Sequence, residues 1–212
     1  MKPLVSVIIP AYNVEKYIGE TLKSVFNQTF KDFEIVVVND GSKDNTLHVA
    51  REILNDSGFP FKIVDQVNRG VSVARNVGME NSGGRYIKFL DGDDRLVPNA
   101  IETLVNAIQK CGCGLVYGGQ DVAALSGKVI QRYEDMYKQE WIYANYEKAI
   151  KEFLLSKVYI SVNSCLIDHE LIDKFGLRFV PGAKYSEDNE FIMKVIYYSQ
   201  NVYYVGQSIC LA

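Results

Sequence analysis

Hydrophobic residues fall in short runs through the first half of this chain, and each run gives way to a stretch in which they recur every three or four positions. Leu4–Ile9, Phe33–Val38, Phe61–Val64 and Tyr86–Leu90 are apolar but for one residue each (Ser6, Glu34, Lys62 and Lys88), show no sustained alternation and include β-branched residues. That is the pattern of strands covered on both faces of a parallel sheet. Glu15–Gln28 carries Ile18, Leu22, Val25 and Phe26 on one helical face, and Asp44–Leu54 carries Leu47, Ala50, Ile53 and Leu54. Ser72–Asn81 is a third helix, closed by Gly83-Gly84. Strands and helices alternating at this rhythm predict βαβ units with right-handed crossovers: an α/β fold with a doubly wound, mostly parallel central sheet.

The second half is less regular. Pro98–Lys110 is predicted as a helix, Leu115–Tyr117 as a short strand, and Val122–Tyr133 as a hairpin turning at Ser126-Gly127-Lys128. Tyr146–Ser156 is expected to be helical, Ile160–Ile167 a strand, and His169–Phe175 a short helix closed by Gly176. Glu187–Ser199 has Phe191, Val195 and Ile196 inward as a helix, and Val202–Val205 is a last strand. No linker or internal repeat interrupts the pattern.

Composition narrows the function classes. The chain has 212 residues, 48% hydrophobic and 23% charged, with a formal net charge of −3. No basic field marks a nucleic-acid binder, so no nucleic-acid partner is expected. The four cysteines, Cys111, Cys113, Cys165 and Cys210, contain no C-x-x-C pair, and with only His48 and His169 available they make no zinc site. Reduced thiols and a cytoplasmic location are the expectation. Met1-Lys2-Pro3 runs straight into a strand without a signal peptide, and no apolar run approaches the ~20 residues of a membrane span.

In doubly wound sheets ligands bind beyond the carboxyl ends of the strands. Tyr12, Asp40, the segment 68–75 and Asp91–Asp94 all fall at or just after those ends. Asp91-Gly92-Asp93-Asp94 places three carboxylates within four residues directly after a buried run. Like charges so close repel and are costly to desolvate, and a hard divalent cation (Mg2+, Mn2+ or Ca2+) compensates them. The alternative is a strand-to-helix turn in which Asp94 only helps start the helix near Pro98. Pro10-Ala11-Tyr12-Asn13 lacks the G-x-G-x-x-G of a dinucleotide site, which demotes a dehydrogenase, and the Gly/Arg/Lys-rich phosphate loop of a nucleotidyltransferase is absent too. Tyr12 and Asp40 could stack on a base and accept its ring N–H, or be a packing aromatic and a turn former. Tyr133, Tyr137, Trp141, Tyr143 and Tyr146 make either an acceptor platform for sugar rings or a packing or subunit-contact stretch. His169 is read as structural.

Five segments in order, Val5–Asn13, Phe33–Thr46, Asn68–Gly78, Phe89–Asp94 and Ser186–Phe191, resemble the family 2 glycosyltransferases, inverting enzymes of the GT-A fold. The resemblance covers roughly residues 4 to 206. It implies a single GT-A domain over 1–212, with a nucleotide-binding half at about 1–97 and an acceptor-side half at about 98–212. It implies that Pro10, Ala11, Tyr12, Asp40 and Asn68 hold the donor's nucleoside, usually uridine, with Arg75 closing the nucleobase pocket. Asp91 and Gly92 would face the ribose or the metal, and Asp93, with Asp91, would ligate Mn2+ or Mg2+ on the diphosphate. Asp188 would be the general base and Glu187 its neighbour and second candidate, unless both merely place favourable charge in a helix's first turn. The implied reaction moves a sugar, with inversion, from a UDP-sugar to a hydroxyl of a glycan or lipid-linked glycan. A catalytically silent sugar-nucleotide-binding or assembly module is the alternative.

Asn201–Ala212 is uncharged and largely apolar to its last residue, so the chain is expected to be cut short at its C-terminus. The resembling family continues from this point into a Tyr-Arg-x-Arg-like stretch and further helices that shape the acceptor site or touch a membrane.

Overall fold

A computed structural model describes residues 2–124, 126–183 and 185–212; Met1, Leu125 (within the expected hairpin) and Lys184 lie outside the described residues. The four apolar runs of the first half become β1 (Val5–Ala11), β2 (Phe33–Asp40), β3 (Phe61–Gln66) and β4 (Tyr86–Phe89). Every residue of β1, β2 and β4 is buried, whereas β3 alternates towards solvent because it forms the sheet edge. The helices between them are α1 (Ile18–Phe26), α2 (Thr46–Asn55) and α3 (Val71–Glu80). The expected first helix begins three residues late, because Val14–Tyr17 is a turn tied to the next loop by Val14 N–H on Thr46 Oγ1 and Glu15 N–H on Asp44 Oδ2.

Then follow β5 (Arg95–Leu96), α4 (Ala100–Cys111), β6 (Leu115–Ala123), β7 (Val129–Gln131), α5 (Tyr133–Met136), β8 (Tyr143–Asn145) and α6 (Tyr146–Leu154). A 3-10 turn, Val162–Ser164, leads into β9 (Cys165–Asp168), α7 (His169–Lys174), α8 (Glu187–Ser199) and β10 (Asn201–Leu211). The sheet order is β3-β2-β1-β4-β9-β6-β10-β5, with β7 on β6 and β8 on β10. Through their pairings β1, β2, β3, β4, β6 and β10 all run one way, and β9 lies antiparallel between β4 and β6. Successive side chains of β1 face opposite layers. Val5, Val7 and Ile9 pack with Ile18 and Leu22 of α1, Leu54 of α2 and Leu104 of α4, while Ile8 packs with Ala74 of α3 and Phe191 of α8.

Two expectations for the second half are corrected, and a third, left open between a sugar platform and packing, falls on the side of packing. The strand foreseen over Ile160–Ile167 is interrupted, because Ser161 Oγ accepts the Asn163 N–H at 3.2 Å and turns the backbone out of extension. The last strand is eleven residues long, continuing past Val205 through an irregular register to β5, a pairing that local pattern does not reveal. The aromatic stretch is chiefly core: Tyr133 and Trp141 are buried, and Tyr137 and Tyr146 pack against the same cluster. Only Tyr143 of the five is largely exposed, at 55%. No described helix is long and apolar enough to cross a membrane.

Candidate active site

The carboxyl ends of the parallel strands converge on a cleft of about 450 Å³ lined by Pro10, Ala11, Tyr12, Asp40, Asn68, Asp91, Gly92 and Asp93, among others. Hollows of about 500 and 820 Å³ lie elsewhere, and neither reaches the acid turn. One wall is built by tying together the loops after β1, β2 and β3. Asn13, at φ 53°, gives its N–H to Ser42 Oγ and accepts the Lys43 N–H on Oδ1. Gly41, at φ 69°, is required twice over, since a Cβ there would stand 2.6 Å from the Asn68 nitrogen. Asp40 is buried, and its carboxylate accepts from Gln66 Nε2 (2.7 Å), Arg69 N–H (2.9 Å) and Gly70 N–H (2.8 Å). The loop ahead of α3 is therefore folded around Asp40. Tyr12 stands 45% exposed at the rim.

The opposite wall is the acid turn, closed by the Asp94 N–H on the Asp91 carbonyl at 3.0 Å. Gly92 is needed for space rather than for a left-handed backbone: a Cβ would meet Val14 Cγ2 at 3.0 Å and the Pro10 carbonyl at 3.2 Å. The three carboxylates have different surroundings. Asp91 accepts from Arg75 Nη2 at 2.9 and 3.2 Å and from Asn163 Nδ2 at 2.9 Å. Asp94 is buried and accepts from Asn163 Nδ2 (2.7 Å) and Gln120 Nε2 (3.2 Å); burial, then the charges of Asp91 and Asp93, push its carboxyl up to about 7. Asp93 is exposed, lines the cleft and has no hydrogen bond among the described residues. Burial also lowers the Lys88 ammonium, which lies wholly inside beneath the turn.

Arg75 does not line the cleft beside the nucleoside-side residues. It is 96% buried under Asp91, its Nη1 is 3.5 Å from Glu187 Oε1, and its guanidinium lies 5.2 Å from the Phe179 ring centre. Its Nε and Nη1 have no hydrogen-bond partner. Asn76 of α3 clamps the backbone of Phe179 in both directions, at 2.8 and 2.9 Å, and Phe179 stacks on Phe191 of α8 at 3.9 Å. The two contacts fix the start of α8 next to the acid turn. Asp188, half-buried, accepts only its neighbour's N–H, from Asn189 at 2.8 Å. The Tyr159 hydroxyl is pushed up by burial and by the nearby charges of Asp188 and Asp91.

Asn163, Asn76 and Gln120 were not legible in the sequence as site residues. The one signal for Asn163 is an amide inside the stretch expected as the strand Ile160–Ile167. His169 lies far from the cleft, with Nδ1 2.9 Å from the Gly84 carbonyl oxygen, in a structural role. Among the described residues no three His, Cys, Asp or Glu side chains form a metal cage. The donor set nevertheless suits a hard cation that takes one or two carboxylates and completes its shell with phosphate oxygens and water.

A mixed sheet with its cleft at the β1–β2–β4 carboxyl ends, closed by an acid turn, defines a GT-A domain. The chain belongs to glycosyl transferase family 2, whose profile matches residues 6–175. It is 34% identical over 216 residues to the glycosyltransferase GlyA of Streptococcus pneumoniae serotype 4 (strain ATCC BAA-334 / TIGR4), an alignment covering 97% of this chain and 30% of GlyA. The S. aureus TarS 1-349 crystal structure in complex with UDP superposes with a TM-score of 0.83 at 25% identity, covering all of this chain and 60% of that one. The mannosyltransferase PcManGT from Pyrobaculum calidifontis, solved with GDP-Man and Mn2+, shares the fold with a TM-score of 0.77 at 18% identity, covering 100% and 57%. The chain thus spans less than two thirds of each of these relatives.

Proposed function

We propose that the chain is the catalytic domain of a glycosyltransferase that takes a sugar from a UDP-sugar and passes it, with inversion, to a hydroxyl of a glycan or lipid-linked glycan. The observation that carries this reading is the cleft itself: an exposed aromatic and a buried carboxylate on one wall face Asp91 and Asp93 on the other, with Glu187 and Asp188 beyond Arg75. The solved relative that holds UDP supports uridine as the nucleoside.

In this reading Tyr12 stacks on the base and Asp40 accepts its ring N–H. Three of Asp40's roughly four acceptor positions are spent on the protein, so one remains. Pro10, Ala11, Asn68 and Gly92 shape the pocket. Asp93, the carboxylate without a protein partner, holds Mn2+ or Mg2+ together with the donor's diphosphate; Asp91, engaged by Arg75 and Asn163, faces the ribose. The cation, when bound, neutralises charge on the departing diphosphate.

The donor sugar lies between Asp91 and Glu187, and Arg75, buried beneath them, holds both carboxylates in place towards it. Glu187 shares the Arg75 guanidinium and is poorly suited to collect a proton. Asp188 accepts the Asn189 N–H and forms no ion pair among the described residues; in this reading it acts as the base that takes the proton from the acceptor hydroxyl. Slow hydrolysis of UDP-sugars in Mn2+, measured over a panel of nucleotide sugars, tests the proposal. Failure of every nucleotide sugar to shift the melting temperature or to be hydrolysed would overturn it.

A further inference from the structure

We propose that Asn163 is the positioning residue of the acid turn: its single carboxamide fixes Asp91 and Asp94, leaving Asp93 as the carboxylate presented to a divalent cation. The proposal rests on the reading of Asp93 as the metal-binding carboxylate.

The two hydrogens of Nδ2 go to different acids, one to Asp91 Oδ2 at 2.9 Å and one to Asp94 Oδ2 at 2.7 Å. Oδ1 accepts the Asp91 main-chain N–H at 3.2 Å, so side chain and backbone of Asp91 are held by the same amide. This pattern also fixes which way the amide points, because the Asp91 carboxylate, ion-paired with Arg75, accepts and the Asp91 N–H can only donate. The main chain of Asn163 is held as firmly. Its N–H goes to Ser161 Oγ, and its carbonyl accepts from Lys88 Nζ, which also donates to the Phe89 carbonyl at 2.9 Å.

Asn163 is 4% exposed, and every polar group it owns is used within the protein. It therefore touches no substrate and acts through the turn. Its residue type follows from the charge problem. Three carboxylates crowd into four positions, and a neutral side chain with two N–H bonds can bridge two of them without adding charge. An aspartate in its place would add a third acid to the pair; an alanine would leave Asp94 buried with one donor fewer. The strap also joins the two halves of the chain, since Asn163 lies 72 residues beyond Asp91.

Isothermal calorimetry of UDP against the purified chain, first in EDTA and then across a Mn2+ series, tests this in three variants. Asp93→Ala establishes the metal reading itself. Asn163→Ala should weaken UDP in EDTA only modestly, through Asp91 at the ribose, because the base-binding wall is built from other loops, and should need ~10-fold more Mn2+ for the same gain, the scale at which residues behind a metal ligand act. Lys88→Met, which frees the Asn163 carbonyl and keeps the side chain's bulk, should move the Mn2+ midpoint in the same direction. It is the deciding variant if Asn163→Ala does not fold. An unchanged Mn2+ midpoint in the folded variant, with the response abolished in Asp93→Ala, overturns the role of Asn163 and leaves the metal reading standing. A full Mn2+ response in Asp93→Ala overturns the metal reading first, and this inference with it.

Discussion

Arg75 Nη2 lies 2.9 Å from Asp91 Oδ1 and 3.2 Å from Oδ2, a buried guanidinium closing from beneath on the first carboxylate of the acid turn. The motif resemblance implies a place for Arg75 at the nucleobase. Its contacts lie instead with Asp91, Glu187 and Phe179, so it links the donor wall to the start of α8.

That link has a stability consequence. Removing one partner of a buried ion pair costs about 3–5 kcal/mol, because the other charge stays buried and unpaired. The Asp91 side chain is 32% exposed, which admits water and moves the expected cost of Asp91→Ala to about 2–3 kcal/mol. Asp91→Asn keeps an acceptor towards Arg75 and should cost less. Urea denaturation with a constant m-value is the check, and a loss below ~0.5 kcal/mol for Asp91→Ala would mean that the pair is not formed in solution.

A second prediction concerns the exposed member of the turn. Asp93 makes no hydrogen bond that its loss would leave unpaired, so Asp93→Ala should leave the melting temperature within a degree or two of the parent, on the order expected for a surface change. The same variant should lose the tightening of UDP by Mn2+ or Mg2+. Equal UDP affinity in EDTA and in Mn2+ for the unmodified chain would sink the metal assignment.

Much of this was legible in the sequence where chemistry is local. Short apolar runs predict β1, β2 and β4 because burial on both faces leaves no sustained alternation, and the convergence of Tyr12, Asp40 and Asp91–Asp94 follows from the strand ends alone. What could not be read were interactions closed over long separations. The bonds of Asn163 to Asp91 and Asp94 span 72 and 69 residues, and Asn76 reaches Phe179 across 103. A β5 strand of two residues exists only because β10 passes beside it. The aromatic stretch resembles a binding surface on composition. Its burial is decided by α6 and β10, from which Glu152 takes the Trp141 indole N–H and Tyr204 meets the Tyr117 and Tyr133 rings.

The nucleoside wall separates into a part that binds and a part that also builds. Tyr12→Ala removes an exposed ring without protein hydrogen bonds, so stability should hold while UDP affinity falls by about 1–3 kcal/mol, the usual worth of stacking one base on an aromatic side chain. Asp40→Asn should lower both. Its one oxygen can serve Gln66 and Arg69, but its N–H₂ group then faces the Gly70 N–H donor, and the loop these bonds fix forms a wall of the pocket. Thermal melting and UDP calorimetry on the two variants distinguish these outcomes. If Tyr12→Ala left UDP binding unchanged, the base would have to lie elsewhere.

The two carboxylates that open α8 should differ in kind as well as degree. Asp188 is half-buried, is held among the described residues by the Asn189 N–H and lies near Tyr159; as the proposed base it should matter for the proton transfer. Asp188→Asn preserves shape and removes the base; donor affinity should stay within about twofold while transfer falls by on the order of 10²–10⁴, the span of general acid–base work. Glu187 stands 3.5 Å from Arg75 Nη1, and that guanidinium also carries Asp91. Glu187→Gln keeps an oxygen towards Arg75 but gives up the charge, so its effect should appear mainly as a higher KM for the donor, with a smaller loss in kcat. Steady-state kinetics of both variants with one nucleotide sugar and a short glycan acceptor would measure the split. A larger kcat loss in Glu187→Gln than in Asp188→Asn would reverse the assignment and make the Arg75-paired carboxylate the base.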